Sequence, residues 1–399
     1  MLIIELLCAA IRNEKVDTLE NRIEEWDEIY EEAKAHGIHT LLYPVLKEMN
    51  IQKRVGAEIM QKWQKSALSL SMYQLQLMKE VQKVLSCFHK EGIEAIALKG
   101  IILRELYPYP ELRSMGDADI LVRRQDMDRA KEILLELDFF EGGKNPEHIE
   151  YRNKNNVEIE LHESLIGEGR FRKAVKLEET VWDNAVETSI FDVPVLMLSK
   201  EDNFLYTGLH MAKHIINSGF GLRQLSDFAL LYESIKTEVD WNNFFENLEK
   251  YSAQKFFTLL FLACEQLFSI KLPDCKVLKV RSNRKYSQLL IEEIFESGLY
   301  GYKNPSRTMG SFALRKVKNK GAKMGAGRIE YFKQLFFPTA GQLSTRYGYA
   351  AKYHALLPLA WVHRIITNIF RTGFSIKEKI FFFKQYGKRS ELLGWLDIR

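Results

Sequence analysis

Cysteine is scarce in this 399-residue chain, and the four that occur, Cys8, Cys87, Cys264 and Cys275, lie far apart with no CxxC pair. That spacing argues against a disulfide framework or a cysteine-ligated zinc site and fits a reducing cytoplasm. Long apolar runs are also missing. The most apolar stretch, FFTLLFLAC at 256–264, is far too short to span a bilayer. At the N-terminus, Glu5 interrupts the run MLIIELLCAA and no basic segment precedes it, so no signal peptide is read there. With 46% apolar and 28% charged residues, the composition is that of an ordinary globular protein, expected in the cytoplasm.

Neither sign of charge dominates the whole chain, but its two ends differ. Residues 1–270 carry 32 Lys+Arg against 45 Asp+Glu, whereas 271–399 carry 25 against 8. An acidic first part and a basic second part suggest separate modules, the second facing the first or an anionic partner such as nucleic acid, nucleotide phosphate or an acidic membrane surface.

No internal repeat is present. Helical spacing runs from about 2 to 90, with Gly37 and Gly92 placed to end helices. The period then changes. IEAIALKG reads as a buried strand ending at Gly100, IILRELY as a short helix, and DADILV as a second strand. RRQDMDRAKEILLELDFF returns to helical spacing, and HIEYRNKNNVEIELHESL reads as a hairpin turning at Asn155-Asn156. Helices follow from Lys200, and 300–330 is a Gly- and Lys-rich basic linker ahead of further amphipathic helices. The division is therefore 1–91 helical, 92–200 a strand-rich core, 201–300 helical, and 301–399 basic linker and C-terminal helices.

Side chains two apart on a strand share a face. Asp117 and Asp119 thus project together from DADILV, with Ala118 and Ile120 toward the core. Two like charges so placed suit a divalent cation, and hard carboxylate oxygens suit Mg²⁺ or Mn²⁺ carrying substrate phosphates. A third acid is offered by VEIELHES, where Glu158, Glu160 and His162 share a face. Upstream, the turn at Gly100 opens a helix whose free amides and dipole favour a phosphate, and Lys99 adds a point charge beside it.

Strand, glycine turn, helix, a D-x-D strand and a later strand with a third acid resemble the nucleotidyltransferase superfamily with a DNA polymerase β-type palm. Within it, LKG, YP, GDADILV, IELH and LHMAKHI followed by GLRQLSDFALL are similar to a bacterial group known mainly as uncharacterised nucleotidyltransferases. The resemblance spans most of 60–370. It implies an α+β fold, a mixed palm sheet flanked by N-terminal helices and a helical C-terminal region. It also implies that Asp117, Asp119 and Glu160 are the metal-binding catalytic carboxylates, with Glu160 helping to deprotonate the acceptor hydroxyl. Two residues depart from the superfamily pattern: Ile101 follows Gly100 where Ser or Gly is usual, and the third acid is Glu instead of Asp.

Further expectations concern the surroundings. Lys99, Gly100, Arg113, His162 and Lys213 are candidates to contact the nucleotide, with Mg²⁺ or Mn²⁺ as cofactor and an NTP as substrate. His210 and His214 share a helix face without the glutamate of a zinc-protease motif, and Arg223 and Asp227 are spaced for a helix ion pair. The expected reaction moves an NMP to a hydroxyl on a small molecule, a protein or a tRNA and releases pyrophosphate. The basic part 271–399 favours a polyanionic acceptor. The alternative is a nucleotide-binding or interaction module that keeps the fold without catalysis.

Overall fold

The computed structural model describes residues 2–16, 26–49, 56–144, 147–166, 175–281, 283–301, 303, 356–361, 363 and 388–397. The chain divides into two units, one of Met1–Ile215, Gly219–Lys303 and Ile398–Arg399, the other of Ile216–Ser218 and Asn304–Asp397. Within the second unit the described residues form short helical stretches at 357–361 and 388–396. The rest of the expected basic linker and C-terminal helices lies outside the described residues.

The first unit begins with helices α1 (Leu2–Arg12), α2 (Trp26–Ala35), α3 (His39–Glu48) and α4 (Ala57–Lys90). Gly37 and Gly92 follow α2 and α4 at φ 69° and 72°, a left-handed turn that glycine enters without a Cβ penalty. Then come β1 (Ala95–Ala97), the one-turn α5 (Gly100–Leu103), β2 (Asp117–Val122), α6 (Met127–Glu136), β3 (Phe139–Lys144), β4 (His148–Asn153) and β5 (Glu158–His162). After α7 (Val175–Asn184), a hairpin of β6 (Val186–Ile190) and β7 (Val193–Met197) completes the sheet.

The seven strands are ordered β3-β4-β5-β2-β1-β7-β6. β2 runs parallel to β5 and β1 parallel to β7, and the remaining neighbours are antiparallel. This is a mixed sheet, as expected. The period-2 reading of β2 holds: Ala118, Ile120 and Val122 enter one apolar cluster with Leu77, Val81 and Phe88 of α4 and Ala130, Ile133 and Leu134 of α6. The opposite face is left to the acids. At the β4–β5 turn, Asn153 Oδ1 accepts from the amides of Asn155 and Val157, and Asn156 takes φ 57°. Those bonds fix the β4–β5 register that sets His148 opposite His162.

Two strand boundaries differ from expectation. β1 stops at Ala97, three residues before Gly100: the Leu98 amide still donates to the Asp119 carbonyl, and Lys99 at φ 33° then turns the chain away. The end of the expected helix around Met127 becomes β3, since Phe139 turns into the core and pairs with Asn153.

A helical layer follows: α8 (Lys200–Asn217), α9 (Leu222–Ile235), α10 (Trp241–Asn247), α11 (Gln254–Phe268), α12 (Lys276–Arg281) and α13 (Arg284–Ser297). Asp240 caps α10 by accepting from the amides of Asn242 and Asn243. Phe204, Phe228, Trp241, Phe244, Phe257 and Phe261 pack ring on ring at its centre. No described helix is long and apolar enough to cross a membrane.

The close approach of α8 to α11 rests on Gly208, where a Cβ would lie 2.1 Å from Phe257 Cζ. Gly208→Ala gains up to about 1 kcal/mol of helix propensity, but the buried ring has no room to retreat. The clash should win, with a net loss of about 1–3 kcal/mol in urea unfolding. Unchanged or raised stability would show that the two helices are not packed this closely.

Candidate active site

The parallel pairing of β2 with β5 places Asp117 opposite Glu158, Asp119 opposite Glu160 and Leu121 opposite His162. Of the four acids on the two strands, Asp117, Asp119 and Glu160 converge, each offering a carboxylate oxygen within 4.8 Å of the others. Glu158 instead pairs outward with Arg152. The three converging acids line a cavity of about 270 Å³ whose opposite wall includes Thr207, His210 and His214 of α8, Arg223, Gln224 and Asp227 of α9, and Tyr300.

The carboxylates are not equivalent. Asp119 Oδ1 lies 2.9 Å from Lys99 Nζ and 2.9 Å from His162 Nε2. Burial would push its pKa up, but Lys99 and then the His162 bond hold it well below the usual carboxylate range. Asp117 is raised by burial and by the charge of Asp119. Glu160 is pushed up to about 7, by burial first and then by Asp119 and Asp117, against the His162 bond. Glu160 Oε2 lies 3.3 Å from His162 Nε2 and 3.1 Å from His148 Nδ1.

Lys99 reaches the site through a strained backbone. A non-glycine residue at φ 33° costs about 1–3 kcal/mol, and the ion pair with Asp119 helps to hold it there. The ammonium therefore sits on a carboxylate while also lining the cavity. Gly100 lines it too and packs closely. The amides of Ile101 and Ile102 donate to the carbonyls of Leu98 and Lys99, so the turn consumes those donors. A Cβ at Gly100 would meet Met115 Sδ at 2.5 Å and Arg113 Nη1 at 3.5 Å. Packing of Met115 explains why glycine stands there.

Arg113 is 3% exposed and grips Asp227 in a two-point fork, Nε to Oδ1 and Nη2 to Oδ2, both at 2.7 Å. Tyr107 Oη also donates to Asp227 Oδ1 at 2.8 Å. The helix pair expected between Arg223 and Asp227 is thus not made. Arg223 turns to the Ser114 carbonyl and, at 3.2 Å, to Tyr300 Oη. Lys213 lines the cavity but is paired with Glu147. His210 and His214 face the cavity with their Nε2 atoms 2.7 Å apart, one donating to the other. Burial and then the charge of Lys99 depress both, His214 to about 3.

Sequence reasoning missed His148, Gln224, Thr207 and Tyr300. Only His148 had a usable signal: counting back from the Asn155-Asn156 turn places it opposite His162. The others belong to helices whose docking on the sheet no local pattern specifies.

A sign follows from Glu160. Because its folded pKa, about 7, lies above its ordinary value of 4.5, the folded protein holds a proton that the unfolded chain has released between those values. This contribution makes stability fall as pH rises from about 4.5 through 7. Glu160→Gln should remove it, so the variant should gain on wild type by at least about 1 kcal/mol between pH 5 and pH 8 in metal-free urea unfolding. A constant difference across that range would show that Glu160 ionises normally.

Comparison with known proteins agrees with the mixed sheet. The family described as uncharacterised nucleotidyltransferase matches residues 23–269, more than half of the chain. The solution structure of the antibiotic-resistance factor ANT(2'')-Ia is similar at 12% identity and a TM-score of 0.33, over 48% of this chain and 97% of that one. No curated protein matches. By the extent of the family match, the chain belongs to the uncharacterised nucleotidyltransferase family and has its α+β fold.

Proposed function

We propose that this protein transfers a nucleoside monophosphate from an NTP to an acceptor hydroxyl and releases pyrophosphate, with Asp117, Asp119 and Glu160 as the catalytic and metal-holding residues. The observation that carries this reading is the convergence of those three acids from two parallel strands at the wall of one cavity. Three clustered carboxylates fit divalent Mg²⁺ or Mn²⁺, and such ions when bound would neutralise the triphosphate and acidify the acceptor hydroxyl.

The chain's own residues supply the rest. In the transfer, the acceptor oxygen bonds to the α-phosphorus, the bond from that phosphorus to the bridging oxygen breaks, and pyrophosphate leaves with the electron pair. The acceptor proton goes to Glu160, the third carboxylate of the cluster. Lys99 keeps Asp119 ionised. An anionic substrate is supported by three buried donors at the cavity wall, Arg113 Nη1, Arg223 Nε and Gln224 Nε2, which have no hydrogen-bond partner among the described residues. Buried donors in that state cost about 1–3 kcal/mol each until an acceptor arrives. Lys213 and His162 act more remotely, through Glu147 and Asp119.

One observation favours a binding module without turnover: Lys99 and His162 already satisfy Asp119 Oδ1, as a cation would. Pyrophosphate release separates the two readings. The protein would be incubated with each NTP, Mg²⁺ or Mn²⁺, and pools of small hydroxylated metabolites, proteins and tRNA. Release that depends on acceptor and is lost in Asp119→Asn supports transfer. Nucleotide binding with no release from any pool would overturn it.

A further inference from the structure

Glu160 is shared by two groups. In one it joins Asp117 and Asp119. In the other its Oε2 approaches two imidazole nitrogens, His148 Nδ1 at 3.1 Å and His162 Nε2 at 3.3 Å, the second of which also lies 2.9 Å from Asp119 Oδ1. The two histidines are directly opposite on β4 and β5, with ring centroids 4.7 Å apart, and one donor atom from each of the three residues falls within 4.8 Å of the others. We propose that His148, Glu160 and His162 form a nitrogen–oxygen site for a first-row transition cation, Zn²⁺ being the probe, beside the all-carboxylate site.

The geometry carries the argument. Neighbouring ligand atoms held about 2.1 Å from one ion stand roughly 3 Å apart, close to both nitrogen–oxygen distances measured here. The donor set decides which ion. Imidazole nitrogens suit transition ions, whereas Mg²⁺ demands oxygen ligands and gives up its waters reluctantly. Side-chain exposure of 11% for His148 and 2% for His162 leaves the pair little access to bulk water, which would otherwise compete for the ion. Because Glu160 belongs to both sets, an ion on the histidine side withdraws a carboxylate from the Mg²⁺ side. The consequence for turnover rests on the transfer reading above, but the binding claim does not.

The test is calorimetric titration of the metal-free, full-length protein with Zn²⁺ alone and Mg²⁺ alone. The site requires one Zn²⁺ per chain, bound at least about 100-fold more tightly than Mg²⁺. His148→Gln should weaken Zn²⁺ by at least about tenfold, and by more than it weakens Mg²⁺. His162→Gln should weaken Zn²⁺ likewise if it folds. Should it not fold, the ring resonances of His148 and His162 in wild type must move on adding one equivalent of Zn²⁺. Zn²⁺ no tighter than Mg²⁺, a Zn²⁺ affinity indifferent to His148→Gln, or unmoved histidine resonances would each overturn the site. Pyrophosphate release with Mg²⁺ alone, followed in parallel, separates the outcomes. Release without tight Zn²⁺ binding sinks only this site, and tight Zn²⁺ binding without release under any condition leaves it standing while removing the transfer reading.

Discussion

Asp117→Asn should abolish transfer while leaving the protein as stable as wild type or more so, whereas Asp119→Asn should lose both activity and stability. The two carboxylates lie on one strand face, yet their surroundings oppose each other. Asp117 is disfavoured in its charged form by burial and by Asp119, so amidation relieves repulsion. Asp119 carries the ion pair with Lys99 and the bond to His162, and an amide there strands the half-buried ammonium and the buried imidazole. Removing one partner of a buried pair costs about 3–5 kcal/mol, far more than the pair is worth against an apolar replacement. Each variant should reduce turnover by about 10³-fold, the scale of losing one preorganised electrostatic group at a reacting centre. Urea unfolding beside pyrophosphate release measures both quantities. Equal destabilisation by the two substitutions would refute the asymmetry.

The second large effect lies at Asp227. Its carboxylate accepts two bonds from Arg113 and one from Tyr107, all buried, and it joins the segment before β2 to helix α9. Asp227→Asn should cost about 3–5 kcal/mol by leaving the Arg113 guanidinium without its counter-charge. The loss should persist in high salt, since buried pairs are poorly screened. Replacing both partners, Arg113→Met with Asp227→Leu, should recover much of that stability because no charge is then stranded. It should not recover nucleotide binding, because Arg113 also supplies one of the unpaired donors at the cavity. A double variant no more stable than Asp227→Asn alone would show that the fork is not what couples these elements.

These contacts mark what the sequence could disclose. The acidic face of β2 was legible because a strand repeats every two residues and Ala118, Ile120 and Val122 form an unbroken apolar partner face. The β4–β5 hairpin was legible because Asn153 and Asn156 give turn chemistry that few other residues provide. The β6–β7 hairpin carried no such sign. Its two-residue loop places Phe191 and Asp192 at φ 47° and 63°, a conformation usually announced by Asn-Gly. Gly100 and Lys99 were legible as a special turn suited to a phosphate, but not their contacts within the chain. The structure gives Gly100 to the packing of Met115 and Lys99 to Asp119. The pairing of Arg113 with Asp227, across 114 residues, had no local signal at all. Asp227's spacing from Arg223 on α9 pointed to a nearer partner that it does not take.

The central claim is that the converging acids of β2 and β5 drive attack at the α-phosphorus of a nucleotide. Tracing label from α- and γ-³²P NTP in parallel reactions tests it most directly, with wild type and Asp117→Asn side by side. The account predicts that the α-label passes to the acceptor in step with γ-labelled pyrophosphate release, and that both vanish in the variant. Label arriving from the γ-phosphate, or α-label transfer that survives Asp117→Asn, would contradict it.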